Sequence, residues 1–130
     1  MSIALALLLA QAAAAATGVD CGNAVTQQDM NFCATLEFRT ADAELNAQWR
    51  ITAAEMRRRD QGIADDGRPG SFDQLLAAQR AWLAYRDAHC DSEGYGARGG
   101  SMEALLVANC RTQLTIDRTE QLRVLIIGLS

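Results

Sequence analysis

The sequence predicts an all-α domain, a small antiparallel three-helix bundle stapled by two disulfides. Three observations predict it. Apolar residues recur at helical spacing in three segments, and glycine-rich joints separate them. The first segment, Thr26 to Gln61, contains neither Gly nor Pro. Four cysteines, Cys21, Cys33, Cys90 and Cys110, all lie beyond an apolar leader, an even count that suits a small disulfide-bonded domain.

The leader comes first. Ile3 to Ala10 is apolar, Gln11 follows, and Ala12 to Ala16 is an alanine tract. This run is too short to span a bilayer but suits the apolar core of a secretory signal. Ala14 and Ala16 give an Ala-x-Ala pattern, so residues 1–16 are expected to be a signal peptide and 17–130 the exported domain. No Arg or Lys precedes Arg39, so the usual basic start of such a leader is missing. A lipidated Cys21 is the alternative, but Val19 and Asp20 are not the small residues that lipidation prefers. The expectation is a periplasmic or secreted domain without a membrane span.

The first helix is expected from an N-cap at Thr26, with Asp29 favourably placed near the helix dipole, to about Asp60. Its stripe is Met30, Ala34, Phe38, Ala41, Leu45, Trp49, Thr52 or Ala53, and Met56. Arg57-Arg58-Arg59 reads as a solvated, dipole-complementing last turn. The joint Gly62 to Gly70 holds the lone Pro69. Ser71-Phe72-Asp73-Gln74 has capping-box spacing and starts the second helix, which should reach about Cys90. Its stripe is Phe72, Leu76, Gln79, Leu83, Arg86 and Cys90, with Trp82 alongside. Gly94, Gly96, Gly99 and Gly100 mark the second joint. Ser101 then caps the third helix, with a stripe through Leu105 or Leu106, Cys110, Leu114, Asp117 or Arg118, Leu122, and Leu125 or Ile126.

Two polar residues, Gln79 and Arg86, interrupt the second stripe. A guanidinium facing the core is costly unless it is paired and hydrogen-bonded. Folding the first two helices back on each other pairs levels whose numbers add to about 131, because rise per residue is equal. Arg86 then meets Leu45, within a turn of Asp42 and Asn46. Gln79 falls near Thr52, and Trp82 faces Trp49. The expected structural polar core is therefore Asp42, Asn46, Gln79 and Arg86. Three cysteine pairings are open to the sequence. The same register puts Cys33 about two turns from the level of Cys90, favouring Cys21–Cys33 and Cys90–Cys110.

Composition narrows function. All basic residues are arginine, and net charge is −4 at pH 7. That argues against nonspecific nucleic-acid binding and is compatible with a basic protein partner. His89 is the only histidine, and no Cys-x-x-Cys, phosphate loop or nucleophile–base pair is present. No enzyme, cofactor or metal is expected.

The chain resembles the lysozyme inhibitor LprI-like family. The resemblance is carried by Cys21, Met30-Asn31-x-Cys33-Ala34, Ala41-Asp42-x-Glu44-Leu45-Asn46 and Gln79-x-Ala81-Trp82-x-x-Tyr85-Arg86-Asp87-x-x-Cys90. Gly99-Gly100-Ser101, Cys110 and Thr115-x-x-Arg118-x-x-x-Leu122 complete the set. Trp49 departs from the family, which more often has Tyr after Leu-Asn. The resemblance implies an exported helical domain and, in some members, inhibition of lysozyme. Under that reading Tyr95, Arg98 and Ser101 of the glycine-rich joint are the expected binding residues, against the plainer reading of a connector. The alternative is a non-catalytic envelope interaction module with no lysozyme link.

Overall fold

The computed structural model describes residues 18–127; the signal-peptide expectation for residues 1–16 lies outside this range. Three helices run up, down and up: α1 (Gln27–Asp60), α2 (Ser71–Gly94) and α3 (Glu103–Ile127). One-turn 3-10 segments cover Cys21–Asn23 and Tyr95–Ala97. No strand occurs among the described residues.

Thr26 caps α1, its Oγ1 accepting from the Asp29 N–H at 3.1 Å. With no Gly or Pro to break it, α1 runs for 34 residues, about 51 Å. The capping box expected at Ser71 does not form. Ser71 is already helical, and Asp60, the last residue of α1, reaches across the joint instead. Its two carboxylate oxygens accept from the Ser71 and Phe72 N–H groups at 2.6 and 3.0 Å. Those bonds hold the Asp60 carboxyl below its usual range. One side chain thus ends one helix and begins the next.

The arginine triplet at the end of α1 is also more engaged than a solvated end. Arg58 and Arg59 both donate to Glu55, whose pKa they lower to about 2. Arg59 also donates to the Leu125 and Ile126 carbonyls at 3.4 Å, where α3 leaves carbonyls without helical partners. Arg57 lies over the Phe72 ring, 4.0 Å from its centroid.

Leu45, Met56, Leu75 and Leu122 form the core, with Trp49, Phe72, Trp82 and Ile126 packed against them. Leu122 is fully buried, a contribution of about 1.5–3 kcal/mol. Three expected stripe positions shift. Leu83 is exposed and Leu75 is buried in α2, while Thr115 is buried in α3. Trp49 pairs with Phe72, centroids 6.4 Å apart, rather than facing Trp82. The first half of the α2 stripe is therefore one step off the simple alternation, while Arg86 and Cys90 stay buried on it, as expected when a helix straddles two neighbours.

The helix register is tied by polar bonds as well as by apolar packing. Thr52 Oγ1 donates to the Leu122 carbonyl at 2.9 Å, and Asn31 Nδ2 to the Ser101 carbonyl at 3.0 Å. Both ties span 70 positions, so α1 and α3 run parallel in constant register. Cys21–Cys33 ties the first turn to α1, and Cys90–Cys110 ties α2 to α3. Both are the pairings the register favoured.

Candidate functional site

The second joint is short and ordered from both sides. Helix α2 continues past Cys90 to Gly94, one turn further than the sequence predicts. Gly94 survives inside the helix because α3 crosses closely there. A Cβ at Gly94 would stand 2.5 Å from Val107 Cγ2. One turn back, the Cys90–Cys110 disulfide holds the two backbones 5.4 Å apart, Cα to Cα.

The chain then turns through Tyr95–Ala97. Arg98 N donates to the Tyr95 carbonyl at 3.2 Å, and Gly100 N to that of Ala97 at 2.9 Å. Gly99 takes φ +80°, a left-handed conformation costly for other residues. Its N–H donates to Glu103 Oε1 at 3.2 Å, so a first-turn carboxylate of α3 reaches back into the joint. From the far side Asn31 holds the Ser101 carbonyl, and Gln27 in turn donates to Asn31 at 2.7 Å. The Ser101 hydroxyl does not cap α3 as expected; the helix begins two residues later, at Glu103.

On this frame Tyr95 is 54% exposed. The Arg98 guanidinium sits 4.4 Å from its ring centroid, within cation–π range. Arg98 forms no ion pair with a described carboxylate. Ser101 is exposed alongside them. The three expected binding residues thus share one end of the bundle, with Tyr95 and Arg98 in contact. Ser101 contributes its carbonyl to the frame.

The polar residues of the stripe divide into two groups. Arg86 is buried, at 6% exposure. Its Nη1 donates to Thr115 Oγ1 at 3.2 Å and stands 3.7 Å from Asp42 Oδ1. Its Nε donates to Asp87 Oδ1 at 3.0 Å. The guanidinium also lies 5.1 and 5.2 Å from the Phe38 and Trp82 ring centroids. Asn46 is exposed and its amide donates to Asp42 at 3.5 Å, not to Arg86. Gln79 does not meet Thr52. Its Oε1 accepts from Arg118 Nε at 2.9 Å, while Thr52 bonds to α3. Burial lowers the pKa of Arg118.

Helical register does not single out Thr115 or Asp87 as partners of Arg86. Asp87 adjoins it in sequence and carried a signal that register alone ignored. Thr115 carried none, because the third helix had no register against the other two. His89 Nε2 lies 3.1 Å from Glu93 Oε1, and Cys110 Sγ is close to both. That sulfur is in a disulfide and offers no thiolate, so the trio is not a metal site.

Fold and bonding define a small, disulfide-bonded helical domain. A family model described as lysozyme inhibitor LprI matches residues 20–122. The chain belongs to this family. It is also 46% identical over 127 residues to an uncharacterised protein of Rhizobium meliloti (strain 1021), covering 94% of this chain and 91% of that one. No solved structure matches it significantly. Family and disulfides together fit an extracytoplasmic protein.

Proposed function

We propose that this protein is exported by cleavage of its leader and inhibits a lysozyme without catalysis, by placing the Tyr95–Ser101 loop at the enzyme's cleft. The observation that carries the reading is Arg98, an arginine with no described carboxylate partner, held over an exposed tyrosine on an ordered loop. Lysozymes cleave glycan with two carboxylates. A cation on a rigid aromatic support complements such a cleft in charge and shape. The loop is pre-ordered by Cys90–Cys110, Glu103 and Asn31, so little entropy is lost when it docks. A net charge of −4 on the whole chain speeds encounter with a basic enzyme.

The test is turbidity clearing of a cell-wall suspension by lysozymes of several classes, with the oxidised domain added. Inhibition is expected. Arg98→Ala and Tyr95→Ala should each weaken it by about tenfold or more, with unchanged helical circular dichroism. Clearing that is untouched at high micromolar protein favours an envelope interaction module instead. Full potency in both variants removes the loop from the interface.

A further inference from the structure

We propose that Tyr85 and His89, on the flank of α2, form a second contact patch for the same lysozyme partner. This inference rests on the loop reading above and extends it. The loop alone is too small for a stable interface. A stable protein–protein interface covers roughly 800 Å² and 20–30 residues on each side. The loop Tyr95–Ser101 supplies seven residues, so an inhibitor that binds through it must bring neighbouring surface into contact.

Neighbouring surface with no structural duty lies on the flank of α2. The two tyrosines are the exposed aromatic residues among those described, Tyr85 at 56% and Tyr95 at 54%; the tryptophans and phenylalanines are at least partly covered. Tyr85 stacks on His89, centroids 5.2 Å apart and planes at 16°. Glu93 holds the far side of the imidazole through Nε2 at 3.1 Å. These contacts tie the platform together, yet it lies outside the core cluster. An ordered, exposed aromatic pair is the type of surface that anchors protein interfaces.

The platform and the loop are within reach of one partner. Tyr85 and Tyr95 are ten positions apart on one nearly continuous helical path, a rise of about 15 Å. Ala88 and Ser92 are exposed on the strip of helix between them, so only small side chains stand there. One protein surface can therefore cover both tyrosines, with the loop entering the cleft and the α2 platform resting on its rim.

The test is titration calorimetry and inhibition with a lysozyme that the wild-type domain inhibits, using Tyr85→Ala, His89→Ala and Ile116→Ser. Ile116 is an exposed residue of α3 and serves as the control. The inference expects Tyr85→Ala to raise Kd about tenfold, His89→Ala to weaken binding in the same sense, and Ile116→Ser to change nothing. Melting temperatures should stay within a few degrees of wild type. Full affinity in Tyr85→Ala and His89→Ala, with Tyr95→Ala impaired, overturns this inference and leaves the loop reading intact. An equal loss in Ile116→Ser also overturns it. Failure of the wild-type domain to inhibit any lysozyme class removes the loop reading and this one together.

Discussion

Arg86 carries a charge into the space between the three helices. A guanidinium at 6% exposure retains its charge only if the fold replaces the water it has lost. Replacement here comes from three directions: Asp42 on α1, Asp87 on its own helix and Thr115 on α3, with Phe38 and Trp82 near the guanidinium. The partners are not equivalent. The Asp42 and Asp87 side chains are 42% and 45% exposed, so water can take over where they are removed. Thr115 is fully buried. Thr115→Val keeps the volume but leaves a buried donor without its acceptor, and should cost about 1–3 kcal/mol in urea unfolding. Asp42→Asn should cost less than about 1 kcal/mol. A ranking in the opposite order would place the essential acceptor on α1.

At the scale of elements, the α1–α2 corner is governed by Asp60. Its carboxylate accepts from the first two N–H groups of α2, where the positive end of the helix dipole adds to the attraction. The folded-state pKa lies below the ordinary value of 3.8. Such a group stabilises the fold above its unfolded pKa, and that stabilisation is lost as pH falls through the folded one. Asp60→Ala should therefore lower the urea midpoint at pH 7. The gap to wild type should narrow progressively below about pH 4. Urea titrations at several pH values read both; a gap independent of pH would mean that Asp60 acts by packing alone. The Ser71–Gln74 pattern pointed to a local cap because local signals are all that spacing can show. The observed cap spans eleven positions.

At the scale of the molecule, two disulfides fasten the end of the bundle that carries the candidate loop. Cys90–Cys110 closes 20 positions and Cys21–Cys33 closes 12. Loop-closure entropy assigns each about 3 kcal/mol. The Cys90→Ala/Cys110→Ala double variant should lose about that much and bind lysozyme more weakly, because α2 and α3 then part beneath Tyr95. Thermal unfolding and the inhibition assay check the two effects separately. Undiminished inhibition in a destabilised variant would show that Glu103 and Asn31 order the loop on their own.

The helices, their joints, the pairing of Arg86 with Asp42 and the preferred disulfides are all legible in the sequence alone. Those follow from periodicity, from glycine and proline placement, and from equal rise in two antiparallel helices, all readable along the chain. The positions of Tyr95 and Arg98 were legible; their contact, 4.4 Å from guanidinium to ring centroid, was not. Folding in three dimensions set the part played by α3. It gave Arg86 its Thr115, turned Gln79 toward Arg118, took the carbonyl of Leu122 to Thr52 and made Gly94 a crossing point. The physical reason is that the third helix can lie on either side of an antiparallel pair and slide along it. Its placement is selected by the joint fit of all buried groups, and no spacing within one segment records that sum.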